Sequence, residues 1–76
     1  MSKHYELMDL TSGNIVGDYE TEDEALEIVR RGAMDYGVSA VAELGLSETD
    51  GDGTRVIAMR SELLERSGAL QPAQSV

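Results

Sequence analysis

The segment from Thr21 to Gly37, with the sequence TEDEALEIVRRGAMDYG, carries the start, face and stop signals of an amphipathic helix. Thr21 is a preferred N-cap residue, and Glu24 stands three positions later, at the spacing of a capping box. Gly37 is the residue type that commonly follows the last helical turn, where the backbone takes a left-handed conformation. The segment therefore predicts a helix that begins after Thr21 and ends before Gly37.

The apolar residues of this segment recur with the period of a helix that covers a flat surface. At about 100° per residue, they fall within one arc of roughly 160°. The opposite side is charged, and its Glu27 and Arg31 have the i,i+4 spacing of a favourable ion pair. Met34 also falls on that side, and we expect it to be exposed. The apolar arc consists of Ala25, Leu26, Ile28, Val29, Gly32, Ala33 and Tyr36.

A predicted hairpin precedes the helix. Residues 4–10 and 15–19 read as strands, and the turn between them has the sequence TSGN. Tyr5 and Leu7 point to one side of the first strand, whereas Met8 and Leu10 point to the other. Gly17 indicates a bulge or a close approach by the helix.

A second predicted hairpin and a short helix follow. Residues 43–48 and 54–59 read as strands around two Asp-Gly pairs. Residues 38–42 fit either a short helical turn or the lead-in to a strand. Ser61 is predicted to cap a last helix at 62–66, which ends at Gly68.

The predicted element order is β-β-α-β-β-α, which is typical of the α+β class. We expect one domain over residues 4–68, with a four-stranded, mainly antiparallel sheet and the central helix packed on one face. The sequence leaves the strand order open. The second face is then solvated, covered by the last helix or paired with another copy. Because the first strand is apolar on both sides, the last two alternatives are favoured. Residues 69–76 are predicted to be a disordered tail.

Length and composition restrict the function. The chain has 76 residues, with no Cys, Phe or Trp, so it has a modest core and no thiol nucleophile. Fifteen acidic residues against six basic ones give a net charge of −9, which disfavours binding to nucleic acids and anionic membranes. There is no apolar run of about 18 residues and no export signal, so we expect a cytoplasmic protein. The preference for Arg over Lys suggests a bacterial or archaeal source.

No residue pattern predicts a catalytic, cofactor or metal site. A calcium loop that starts at Glu48 would place Met59 where the bidentate Glu is required, so the Asp-Gly pairs are read as turn residues. His4 is the single histidine and cannot by itself build a His-metal cluster. The serines lack the G-x-S-x-G context of a nucleophile elbow. We therefore expect a protein that is not an enzyme and that has no cofactor and no metal.

Several short motifs carry a resemblance to known proteins: YELMD at 5–9, SGN at 12–14, Gly17, Tyr19 and TEDEAL at 21–26. Over residues 4–66 the chain resembles a group of small uncharacterised bacterial proteins with a hairpin–helix–hairpin order, which implies no activity. More distantly, a hairpin followed by a helix that opens Thr-x-x-Glu-Ala is similar to HicB-type antitoxins. The chain lacks the proline- and glycine-containing segment before the helix of those antitoxins. This second resemblance implies a small acidic protein that caps a basic toxin.

These observations predict a small, acidic, non-enzymatic interaction domain that forms a homodimer through a sheet face or an edge strand. The alternative is an antitoxin-like or inhibitory partner of a basic protein, which the negative charge would suit. The residues predicted to form the interface are Tyr5, Leu7, Met8, Tyr19, Val56 and Ile57.

Overall fold

A computed structural model describes residues 3–69 of the chain. The strands are β1 (His4–Asp9), β2 (Ile15–Tyr19), β3 (Leu44–Asp50) and β4 (Gly53–Met59). The α-helices are α1 (Glu22–Tyr36) and α2 (Arg60–Ser67), and a 3-10 helix at Val38–Val41 connects α1 to β3. The predicted order β-β-α-β-β-α and the α+β class are confirmed. Within the described part of the chain, every helix is too short or too polar to cross a membrane.

The four strands form one antiparallel sheet in the order β2-β1-β3-β4. The two hairpins meet through β1 and β3, so β2 and β4 are the edge strands. Each hairpin contains a bulge, with Val16 as the extra residue of β2 and Ile57 as the extra residue of β4. A bulge bends its strand and increases the local twist, which here affects both edges of the sheet.

Helix α1 has the predicted start and end. The Thr21 hydroxyl accepts a hydrogen bond of 3.1 Å from the Glu24 backbone N–H. The Glu24 carboxylate accepts one of 3.1 Å from the Glu20 backbone N–H, one residue earlier than in the usual capping box. At the other end, Gly37 has a φ of +95°, and its N–H donates to the Ala33 carbonyl at 2.9 Å. Its ψ of 154° makes the chain leave the helix in an extended direction.

Only a narrow stripe of α1 is buried. Ala25 and Val29 are completely buried, and Leu26 and Ala33 pack partly buried against the same core. Tyr36 is 80% exposed, so its predicted burial on the apolar arc is wrong. The helical period predicts the direction in which each side chain points from the helix axis. A side chain in the last turn, however, is buried only where another element lies over it.

The core lies between one side of the sheet and both helices. Helix α2 packs beside α1 on this side, where Arg66 Nη1 lies 3.0 Å from Glu22 Oε2. Within residues 3–69, the other side of the sheet is therefore left without a helix. The buried core residues are Leu7, Ala25, Val29, Val41, Leu44, Leu46, Ala58, Leu63 and Leu64.

Helix α2 starts two residues earlier than predicted. Its N-cap residue is Met59, which makes no side-chain capping bond, and Arg60 follows with a φ of +53°. Ser61 lies inside the first turn, so its predicted role as the cap is wrong. The physical reason is that β4 runs directly into α2, and no loop residue stands between them to serve as a cap.

The end of α2 is confirmed. Gly68 has the left-handed conformation, with a φ of +86°, and its N–H bonds back to the last turn. Ala69, predicted to begin a disordered tail, donates its N–H to the Leu64 carbonyl at 3.0 Å and packs against the core. The rest of the predicted tail lies outside the described residues.

Candidate functional site

The side of the sheet that faces away from both helices is the candidate functional site, and we name it the open face. Paired residues on neighbouring strands share a side of the sheet, and successive residues alternate between sides. Leu7 and Leu46 are paired and completely buried, which assigns them to the helix side. The register then places the following residues on the open face: His4, Glu6, Met8, Ile15, Asp18, Gly45, Ser47, Thr49, Thr54, Val56 and Met59.

An uncharged row crosses all four strands at one end of the open face. Ile15, Met8, Gly45 and Met59 are successive pairing partners from β2 to β4. Gly45 has no side chain of its own, and Leu10 occupies the space above it, since a Cβ on Gly45 would lie 3.1 Å from Leu10 Cδ2. The exposed fractions are 50% for Ile15 and 42% for Met59. We define the apolar row as Met8, Leu10, Ile15, Met59 and the adjacent Val56, which is 57% exposed.

Three of the predicted interface residues, Tyr5, Leu7 and Tyr19, lie on the helix side of the sheet and not on the open face. Leu7 is completely buried, so it has no surface to offer a partner, and the prediction for Leu7 is wrong. Tyr5 and Tyr19 are paired with each other and pack partly buried against the core. The Tyr19 ring lies over Gly17, where an added Cβ would collide with the Tyr19 hydroxyl. The close approach to Gly17 is therefore made by Tyr19 and not by the helix, and the bulge lies at the neighbouring Val16.

The other three predicted interface residues are divided between the two sides. Ile57 is the bulge residue of β4 and packs partly buried against the core. Met8 and Val56 lie on the open face. Ile15 and Met59 also belong to that face but were not predicted. The register of the first hairpin, which pairs Ile15 with Met8, is the signal that could have found Ile15.

Glu48 is the centre of a polar cluster that lies on the helix side. Its carboxylate accepts hydrogen bonds from the Tyr5 hydroxyl at 3.0 Å and from Arg55 at 2.7 Å, and Lys3 Nζ lies 3.3 Å away. The bond from the Arg55 guanidinium, and then the bond from Tyr5, lower the pKa of Glu48 below its ordinary value. Burial, and then the bond to Glu48, raise the pKa of the Tyr5 hydroxyl. Because it joins β1, β3 and β4, this cluster stabilises the strand pairing.

His4, Glu6 and Asp18 meet on the open face, away from the apolar row, and we name them the His-Glu-Asp cluster. His4 and Glu6 are two residues apart on β1, and Asp18 of β2 is the pairing partner of Glu6. His4 Nε2 lies 3.9 Å from Glu6 Oε2 and 3.7 Å from Asp18 Oδ2. In the sequence, His4 stands as a single histidine without a second one nearby. A His-x-Glu pattern in one strand of a hairpin, with an Asp in the returning strand, is the signal that could have found the cluster.

A second apolar surface lies on the helix side, beside the edge strand β2. It is a groove of about 560 Å³ between β2, α1 and the 3-10 helix. Val16 and Ile28 form its apolar walls and are 50% and 41% exposed. Asp9 and Glu43 contribute carboxylates to its lining. The groove is therefore less uniformly apolar than the apolar row.

The Asp-Gly pairs form the tip of the β3–β4 hairpin. The Asp52 backbone N–H donates to the Asp50 carboxylate at 2.8 Å, which is an Asx turn. Gly53 follows with a φ of +143°. Turn chemistry therefore accounts for these residues without a bound ion.

Similarity to known proteins does not assign a role to these surfaces. No protein-family model, no curated protein and no solved structure matches the chain. The resemblance to small bacterial proteins and to HicB-type antitoxins remains a prediction. The candidate site is defined by the geometry of the open face.

Proposed function

We propose that this protein is a non-enzymatic interaction domain that forms a homodimer through the apolar row of its open face. The observation that carries the proposal is the grouping of Ile15, Val56 and Met59, each about half exposed, on a sheet face without a helix in residues 3–69. Single exposed apolar side chains are normal on protein surfaces. A contiguous group rimmed by polar residues is typical of an interaction surface.

The negative charge of the chain favours contact between two copies through the apolar row rather than through their acidic surfaces. The chain carries a net charge of −9, so two copies repel each other over most of their surfaces. The apolar row consists of Met, Leu, Ile and Val side chains and adds no charge to a contact. A two-fold axis in the plane of the interface would place row against row, as in an isologous dimer. Such a contact keeps the acidic surfaces apart.

The size of the face sets the expected affinity. Four strands about 4.8 Å apart and five residues of about 3.4 Å each give a face of roughly 19 by 17 Å. This is well below the roughly 800 Å² per partner of a standard interface. We therefore expect a weak dimer that exchanges with the monomer and whose population depends on concentration.

Sedimentation equilibrium tests the proposal over concentrations from about 1 μM to about 1 mM, where weak association is measurable. The dimer fraction of the natural chain should rise with concentration, whereas Val56→Glu should remain monomeric. Met34→Glu is the matched control, because Met34 is 71% exposed on α1 and lies outside the row. A natural chain that stays monomeric throughout, or a Met34→Glu effect equal to that of Val56→Glu, would overturn the proposal.

The alternative function is inhibition of a basic protein, and the net charge of −9 is the observation that favours it. A basic partner would be attracted by the acidic surface, and salt would weaken the complex. Affinity purification from the source organism at low salt is the test. Recovery of a basic protein in stoichiometric amount, and its loss at high salt, would favour this function over the dimer. From the composition, we propose that the protein is bacterial and cytoplasmic under either function.

A further inference from the structure

We propose that the His-Glu-Asp cluster is a binding site for one divalent transition-metal ion and that Zn²⁺ suits it best. The cluster offers one imidazole nitrogen and two carboxylate groups. Imidazole is a preferred ligand of zinc, copper, iron and nickel, whereas magnesium and calcium prefer sites made of oxygen alone. Three protein ligands would leave a fourth position for water or for a further ligand. This inference does not rest on the proposed dimer.

The strand pairing sets the geometry of the site. His4 and Glu6 project from the same side of β1 because they are two residues apart, and Asp18 is held beside Glu6 by the β1–β2 pairing. One ligand atom from each residue lies within 4.8 Å of the other two. In a tetrahedral zinc site with bonds of about 2.0 to 2.1 Å, neighbouring ligand atoms lie about 3.3 Å apart.

The distances between the ligand atoms give the movement needed to close the site on an ion, and the distance between Glu6 and Asp18 is at most 4.8 Å. The His4 Nε2 distances of 3.9 Å to Glu6 and 3.7 Å to Asp18 exceed the tetrahedral spacing by about 0.4 to 0.6 Å. Rotation of these side chains is the motion that would close the site on an ion. The side chains of His4, Glu6 and Asp18 are 37%, 31% and 57% exposed, so an ion can enter from solvent.

The electrostatics of the open face give an independent reason for a cation at this position. Glu6 and Asp18 are directly paired carboxylates, an arrangement that is unfavourable between neighbouring strands. Within residues 3–69, all six Lys and Arg side chains lie against other carboxylates, namely those of Glu22, Glu27, Glu43 and Glu48. His4 is the remaining basic group beside the pair. A bound divalent ion would remove the repulsion and would use His4 as a ligand.

The site is separable from the apolar row. His4 precedes Met8 by four residues on β1, or about 13 Å along the strand. Zinc binding and self-association can therefore be measured independently, with the Val56→Glu variant as the monomeric background.

Calorimetric titration and ¹H–¹⁵N spectra of the full chain with Zn²⁺ test the inference. We expect one Zn²⁺ per chain, shifts centred on the cluster, a higher Tm and no comparable effect of Mg²⁺ or Ca²⁺. His4→Gln and Asp18→Asn should each weaken Zn²⁺ binding at least tenfold. Asp23→Asn is the matched control, because it removes the same charge from the exposed start of α1.

Two results would overturn the inference. The first is Zn²⁺ binding that His4→Gln leaves unchanged or that Asp23→Asn weakens as much as Asp18→Asn, since binding would then follow only the negative charge of the chain. The second is the absence of saturable Zn²⁺ binding to the natural chain. Circular dichroism of each variant confirms that the fold is intact.

Discussion

Leu7 of β1 and Leu46 of β3 are direct pairing partners, and neither side chain exposes any surface to solvent. They hold the two hairpins together at the centre of the sheet and lie under both helices. We predict that Leu46→Ala destabilises the protein by about 2 to 5 kcal/mol, because it leaves a cavity in the core. Urea denaturation measures this loss. Met34→Ala, at an exposed position, should change the free energy of unfolding by less than about 0.5 kcal/mol.

The Thr21 hydroxyl is the side-chain acceptor at the start of α1. Thr21→Ala leaves the Glu24 N–H without this acceptor, and we expect a loss of about 1 kcal/mol in the free energy of unfolding. Thr21→Ser should keep most of the stability because it keeps the hydroxyl. Equal losses for the two substitutions, measured in urea, would contradict the capping role of Thr21.

Gly68 ends α2 in the left-handed conformation. We predict that Gly68→Ala destabilises the protein by about 1 kcal/mol, because a Cβ is unfavourable at positive φ. Gly68→Asn should cost less, since Asn tolerates this conformation better than Ala. Thermal unfolding of the three proteins gives the order, and an Ala variant at least as stable as the Asn variant would contradict the prediction.

The Glu48 cluster predicts a pH dependence of stability. The pKa of Glu48 is lowered in the folded state, chiefly by its bond from Arg55. Its contribution is therefore present above the ordinary pKa of a glutamate and is lost as the pH falls through the folded value. We expect Glu48→Gln to be less stable than the natural chain at pH 7 and the difference to shrink in acid. Urea denaturation of both proteins at several pH values measures this difference, and a difference that does not shrink in acid would contradict the prediction.

The proposed homodimer predicts that added salt strengthens the association. Added salt screens the repulsion between two chains of charge −9 but leaves the uncharged apolar row unaffected. We expect the dimer fraction at a fixed concentration to increase between about 20 mM and about 300 mM salt, over which the screening length shortens several-fold. Sedimentation equilibrium gives this fraction directly. A decrease would indicate that opposite charges hold the two copies together.

Local signals predicted the elements of this fold because their causes are local. The cap at Thr21, the glycines at 37 and 68 and the turn at 50–53 each act within a few residues of the chain. The exception is Ser61, whose capping role is overridden because β4 continues directly into α2.

The candidate site was harder to predict because it depends on contacts distant in sequence. Alternation along β1 separates Leu7 from Met8, but it does not tell which side the helices cover. That choice depends on the packing of both helices against the side of the sheet that carries Leu7. The His-Glu-Asp cluster likewise depends on the register that pairs Glu6 with Asp18.

Met59 belongs to two parts of the fold. It is an exposed member of the apolar row, and it is also the N-cap residue of α2, whose Leu63 and Leu64 are buried in the core. No loop separates the surface from the helix here, and Arg60 follows Met59 with a positive φ. Any contact that restrains Met59 therefore restrains the first turn of α2 directly. Amide hydrogen exchange in the first turn of α2, on the helix side of the sheet, would therefore report whether a partner is bound to the open face.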